Sequence, residues 1–303
     1  MSTRTDLIRL IPRLDIKGPN LIKGIQFDGH RVLGSAAEFA EIYYAEGADE
    51  LIYQDAVASL YQRNGLADIV RSVARRVFIP ITVAGGIRSI NNIQELLRAG
   101  ADKVAINTAA VANPMLLKEA ALAFGSQCIV SSIEAFRAQD GSYRCWVDYG
   151  REPTTVDAID WAQQVQDLGV GEILLTSINR EGMGSGFDLD LISQVARKAK
   201  IPVIACGGAG TSADFAKAVI GAGADAVSAA SIFHYHYARP KPEQLTMQAV
   251  GDALRMGKPI DAGNIDFLNR GYGGQRAITV EPCSISQAKT AMRNAGLNVR
   301  QAT

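Results

Sequence analysis

Gly85-Gly-Ile87 is followed 122 positions later by Gly207-Gly-Ala209. Gly47-Ala-Asp-Glu-Leu51 returns as Gly169-Val-Gly-Glu-Ile173 at that same offset, and Gly100-Ala-Asp-Lys-Val104 returns as Gly223-Ala-Asp-Ala-Val227 one position further on. Three matches at essentially one spacing mark an internal duplication. Around them, short apolar runs alternate with amphipathic stretches. The runs are Leu10 to Leu14, Leu51 to Tyr53, Ile79 to Val83, Val104 to Ile106, Cys128 to Ile133, Ile173 to Leu175, Ile201 to Ala205 and Ala226 to Val227. Each has the brevity and near-continuous apolarity of a parallel strand buried on both faces. Helical periodicity covers Ala36 to Glu46, Leu66 to Arg76, Asn91 to Ala99, Pro114 to Phe124, Val156 to Leu168, Leu189 to Lys200 and Ser212 to Ala222. Periodicity alone permits an open doubly wound sheet or a closed barrel. The duplication decides for the barrel. Two halves of four βα units close with pseudo-two-fold symmetry, whereas an open sheet gives the repeat no reason to exist. The expected fold is α/β, a (β/α)8 TIM barrel of two duplicated half-barrels.

The chain, residues 1–303, reads as one barrel domain with an insertion over 235–282, ahead of the last helix. That stretch contains Arg239-Pro-Lys-Pro242, many glycines and one helix candidate, Glu243 to Met256. It is longer than an ordinary connection. The pattern resumes at Ser284 to Ala295, with Ser284 as N-cap and Gly296 as the stop.

Composition narrows the function classes. The 31 basic side chains balance the 31 acidic ones, so the basic surplus of a nucleic-acid-binding module is missing. No apolar run is long enough to span a membrane. Met1 to Leu10 is polar and carries Asp6, unlike a signal peptide. Cys128, Cys145, Cys206 and Cys283 show no CxxC spacing. That suits reduced thiols in a cytoplasmic protein better than a disulfide framework or a zinc site. No metal and no cofactor is expected.

Catalytic loops of such barrels lie at the C-terminal ends of the strands. The Gly85-Gly86 and Gly207-Gly208 turns follow strands 3 and 7, where backbone N–H groups can approach an anion closely. Strands 4 and 8 end in Asn107-Thr108 and Ala230-Ser231, which add further donors. One Gly-Gly pair would be no more than a tight turn; two at matched positions point to two phosphate sites on opposite sides of one mouth. The same symmetry places Asp15 at the end of strand 1 and Glu134 at the end of strand 5. Alone, either would pass for a cap or a surface charge. Facing each other, they make a general acid and base. At the other strand ends, Arg9, Glu50, Lys103 and Glu172 either sit solvated or pair as a ring across the barrel floor.

Together with Ile11-Pro-Arg-Leu-Asp-Ile-Lys17, Val83-Ala-Gly-Gly-Ile-Arg88, Gly171-Glu-Ile-Leu-Leu-Thr-Ser177 and Ala205-Cys-Gly-Gly-Ala-Gly210, these residues resemble the cyclase subunit family of imidazole glycerol phosphate synthase, from histidine biosynthesis. The resemblance runs from about Arg9 to His234 and resumes at Ser284. It implies that a separate glutaminase subunit releases ammonia, forming a heterodimer with the barrel. The ammonia crosses the barrel and attacks a doubly phosphorylated ribulosyl-formimino substrate, giving imidazole glycerol phosphate and aminoimidazole carboxamide ribotide. It implies acid/base roles for Asp15 and Glu134 and a substrate-loop role for Lys23. Phosphate or substrate contacts fall on Gly85, Gly86, Asn107, Thr108, Thr176, Gly182, Gly207, Gly208, Ala230 and Ser231. Arg9, Glu50, Lys103 and Glu172 fall on the family's ammonia gate.

The sequence also departs from that family. Glu134 replaces an Asp and is one methylene longer, in a site where small misplacements cost rate. Asn179 and Glu181 stand for two aspartates, Arg13 for a small residue, Gln54 for an apolar one and Ala84 for a glycine. With the insertion, these changes resemble paralogues that deliver ammonia to a nucleotide-linked sugar for surface polysaccharide. A third reading is a non-catalytic scaffold that binds a phosphorylated metabolite and activates a glutaminase.

Overall fold

A computed structural model describes residues 6–56, 66–238 and 279–301. Eight parallel strands close into a barrel: β1 (Arg9–Lys17), β4 (Leu51–Asp55), β5 (Ile81–Ala84), β6 (Lys103–Ile106), β7 (Ile129–Arg137), β10 (Glu172–Ser177), β11 (Val203–Cys206) and β12 (Ala226–Ala229). Each pairs in parallel with the next, and β12 returns to β1 with Arg9 opposite Ala226. Around them run α1 (Ala36–Ala45), α2 (Leu66–Ala74), α3 (Ile90–Ala99), α4 (Thr108–Ala112), α5 (Met115–Phe124), α6 (Ala158–Asp167), α7 (Leu189–Ala196), α8 (Ala213–Ala216), α9 (Ser231–Tyr237) and α10 (Ile285–Asn294). The stretch expected as one helix over Ser212 to Ala222 passes from α8 into a π turn at Lys217–Gly221.

Capping chemistry sets the helix starts. Ser89, Asp157 and Asp188 each accept an N–H from the first turn that follows. Ser284 and Gln287 form a reciprocal capping box on α10, and Gly296 turns the chain out in the left-handed region. The Gly-Ala-Asp repeats have an equally concrete purpose. Asp49, Asp102 and Asp225 each accept an N–H at the start of the neighbouring strand, from Leu10, Ile81 and Val203, all at 2.8 Å. The fourth copy has Gly171 instead, where a Cβ would stand 2.4 Å from the Ser126 carbonyl oxygen. The duplication therefore survives as three carboxylate clamps on the barrel's lower edge.

Two hairpins were absent from the sequence-based expectation. β2 (Asn20–Ile25) and β3 (Asp28–Ser35) follow β1, and β8 (Tyr143–Val147) and β9 (Glu152–Asp157) follow β7. They obey the half-barrel symmetry, since each springs from the first strand of its half. Near their tips Phe27 and Tyr149, again 122 positions apart, bring their rings to 4.5 Å over the mouth. The large apolar core lies between strands and helices. A second cluster fills the barrel itself: Ile11, Ile52, Ala84, Ala105, Val130, Leu174, Ile204, Cys206 and Ala226. Of the expected insertion, Tyr235–Tyr237 belong to α9. Residues 239–278, including the helix expected at Glu243 to Met256, lie outside the described residues. All four cysteines carry free thiols. Among the described residues, no helix is long and apolar enough to cross a membrane, and no cluster of side chains suits a metal.

Candidate active site

Strand residues two apart share a face. On β1 this sends Arg9, Ile11, Arg13 and Asp15 inward, one above another. Across the barrel, Glu172, Leu174 and Thr176 do the same on β10, and Val130, Ser132 and Glu134 on β7. The interior is thereby layered: a charged floor, an aliphatic layer and a polar mouth.

The floor is a closed ring of four side chains. Arg9 lies 2.6 Å from Glu50 and 2.7 Å from Glu172. Lys103 lies 3.1 Å from Glu50 and 2.8 Å from Glu172. Each carboxylate thus bridges both cations. The four groups expected at the floor are brought together, and the solvated alternative does not describe them. Such a ring leaves no unpaired charge, which is how ionic groups survive partial burial.

At the mouth, Asp15 is buried beside Arg13. The Arg13 Nε donates to Asp15 Oδ1 at 2.9 Å, and its Nη2 lies 2.8 Å from the same oxygen. Glu134 is also buried. It accepts from Asn107 Nδ2 at 3.1 Å and from the backbone N–H of Gly150. Burial pushes its carboxyl up to about 7, against the pull of Arg13 and these donors, with the Asp15 charge adding to the rise. A carboxyl in that range can both give and take a proton at neutral pH.

Two glycine-lined pockets flank the carboxylates. One, open to solvent, is lined by Gly85, Gly86, Asn107, Thr108, Ser132 and Glu134 among others. The other is lined by Gly182, Gly207, Gly208, Ala230 and Ser231, with Glu181 and Cys206. The first opens beyond β5 and β6 and the second beyond β11 and β12. In a closed ring of eight these pairs stand opposite each other. At Gly208 (φ +107°) a Cβ would lie 2.3 Å from the Gly186 carbonyl oxygen, so only glycine fits the turn.

Three expected contacts have more specific settings than sequence supplied. Asn107 spends its amide hydrogens on Glu134 and on the Trp146 carbonyl, so it also orients an acid. The Thr108 hydroxyl oxygen accepts the Asp148 N–H. Thr176 faces inward from β10 and hydrogen-bonds the Cys206 thiol. Lys23 is buried and meets Glu181 at 2.5 Å. Burial would raise Glu181, but the Lys23 ammonium and the Arg13 guanidinium outweigh it and hold that carboxyl well below its usual range. The same junction carries Gln26 N–H to the Glu181 carbonyl at 2.9 Å. The first hairpin is therefore latched to the loop after β10.

A model of the histidine biosynthesis protein family matches residues 9–239. The chain belongs to that family. The HisF subunit of imidazole glycerol phosphate synthase from Legionella pneumophila is 58% identical over 208 residues, which are 69% of this chain and 98% of the relative. The HisF subunit from Streptomyces coelicolor is 45% identical over 248 residues, 82% of this chain and 98% of the relative. That of Streptomyces griseus is 47% identical over 228 residues, 75% and 90% respectively. The similarity reported for this HisF-family chain supports neither the polysaccharide paralogue nor the scaffold. Within the family frame, the feature that sequence reading left without a role is Arg13. Its same-face spacing from Asp15 was the available signal.

Proposed function

We propose that this chain is the cyclase half of imidazole glycerol phosphate synthase, taking ammonia from a separate glutaminase subunit and working in the cytoplasm, with residues 1–303 acting as one barrel that carries the 235–282 insertion. The observation that carries the reading is the arrangement at the mouth: two opposed glycine-lined pockets with buried Asp15 and Glu134 between them. A substrate bearing a phosphate at each end spans the pockets and lays its middle on the carboxylates. Gly85, Gly86, Asn107 and Thr108 hold one end; Gly182, Gly207, Gly208, Ala230 and Ser231 hold the other. Thr176 lines the path between them, and Lys23 holds the hairpin closed over the ribulosyl-formimino chain.

Ammonia enters at the opposite face, through the ring of Arg9, Glu50, Lys103 and Glu172. Exposed Leu7, Tyr44 and Phe78 lie near the strand starts around that floor, and Phe78 is 74% exposed. Tyr44 and Phe78 rings meet edge-on at 6.1 Å. A partner seated there covers apolar surface and the ring together.

Purified protein supplied with ammonium and the ribulosyl-formimino bisphosphate is expected to yield imidazole glycerol phosphate and aminoimidazole carboxamide ribotide in equal amounts. Gly208→Ala is expected to raise KM at least about tenfold through the blocked pocket. Gly221→Ala, whose added Cβ meets nothing within 4 Å, leaves KM unchanged. Binding without product from folded wild-type protein would eliminate the cyclase reading.

A further inference from the structure

The two carboxylates at the mouth are not equivalent. Asp15 lies in direct contact with a fixed cation, and among the described residues no cation pairs directly with Glu134. Arg13 is 3% exposed and is held at three points. Two of its nitrogens lie against Asp15 Oδ1, at 2.9 and 2.8 Å. Its Nη1 points to Cys206 Sγ at 3.4 Å, reaching from β1 to β11. Its guanidinium lies over the Phe27 ring, 5.2 Å from the centroid. A guanidinium so locked can neither swing away nor lose its proton. Both contacts to Asp15 fall on Oδ1, so Arg13 leaves Oδ2 free of its grip.

Glu134 is faced by different groups. Asn107 and the Gly150 N–H donate to it. Tyr149 stands beside it on the hairpin turn, and the charges of Arg13 and Asp15 reach it from β1. Asp55, Arg88 and Asp148 line the same pocket.

We propose that Arg13 is a positioning residue that divides the labour of this site: it fixes Asp15 as the ion-paired carboxylate that first takes a proton, and leaves Glu134 to give one. The proposal rests on the cyclase reading. Ammonia forms a C–N bond at the ribulosyl carbonyl carbon as the C=O π pair moves to oxygen. Glu134 gives its proton to that oxygen, and Asp15 Oδ2 takes one from the new nitrogen centre. Loss of water reverses the traffic. The Asp15 proton leaves with the hydroxyl as water, an N–H proton returns to Glu134, and a C=N bond remains. Both carboxyl groups end as they began. The raised titration of Glu134 to about 7 agrees with a group that starts protonated.

The test is the pH profile of kcat/KM for the bisphosphate, which reports the groups of the free protein, with ammonium as nitrogen source and free ammonia held constant. In wild type the alkaline limb falls near pH 7, where Glu134 loses its proton. Arg13 opposes protonation of Glu134, so Arg13→Met is expected to move that limb up by about one pH unit and to lower kcat about tenfold or more. Arg13→Lys keeps the charge but not the fork. It is expected to hold the limb within about 0.3 unit of wild type while lowering kcat about tenfold. An alkaline limb that stays put in Arg13→Met overturns the proposal. If Arg13→Met does not fold, wild-type kcat in Arg13→Lys overturns it instead. A wild type without turnover sinks the cyclase reading and this proposal together; turnover with an unmoved limb sinks this proposal alone.

Discussion

Asp15→Asn lowers ammonium-driven turnover by about a thousandfold, the span expected when a general acid–base group is removed. The substitution is nearly isosteric, so the site keeps its shape. The amide cannot take a proton from the attacking nitrogen, and it leaves the buried Arg13 guanidinium without its ion-pair partner. That second consequence costs stability, about 3 kcal/mol for an uncompensated buried charge. Thermal unfolding therefore belongs beside the kinetics. A variant that stays folded, binds the bisphosphate and makes no product is the expected result. A folded Asp15→Asn protein with wild-type kcat removes Asp15 from the chemistry.

Lys103→Ala separates delivery from chemistry. The ammonium group ties Glu50 and Glu172 together at the floor, at 3.1 and 2.8 Å. Removing it leaves two carboxylates sharing Arg9 and opens the plug toward solvent. In the complex with the glutaminase subunit, glutamine-driven product formation is expected to fall about tenfold relative to glutamine hydrolysis, because ammonia escapes or is taken up as ammonium. Turnover with added ammonium bypasses the floor and stays within about twofold of wild type. The asymmetry is the signature, since each activity is read on the same substrate and the same mouth. Equal loss of both activities contradicts the gate and makes the ring a purely structural network.

Much of this was legible because the barrel's edges make strict demands on residue type. A Gly-Ala-Asp clamp needs glycine for the turn and a carboxylate for an N–H at the start of the neighbouring strand, so it repeats where the strands repeat. The Gly-Gly turns repeat for a similar reason, since Gly85 and Gly208 stand against backbone oxygens that leave no room for a Cβ. The hairpins were hidden by the same logic reversed. Their turns pass through the left-handed region at non-glycine residues, Gln26, Phe27, Asp148 and Tyr149, and only Gly150 follows the usual pattern of glycine at such positions. Glu152–Asp157 is half-exposed and lacks a buried stripe. Helix boundaries such as Ser212 to Ala222 depend on packing that sequence period does not carry. The carboxylate–guanidinium pair at Arg13 and Asp15 needed only the strand's period of two. The Lys23–Glu181 latch joins residues 158 apart, and nothing local to either marks the other.

In the proposed reaction one molecule is gripped at both phosphates while acids work on its middle. The most direct measurement is 31P NMR of the bisphosphate substrate bound without ammonia. Two resonances are expected to shift on binding. Gly85→Ala should abolish one of the shifts and Gly208→Ala the other, with each variant leaving the opposite signal displaced. A single shifted resonance, or both variants erasing the same one, would contradict the two-ended grip.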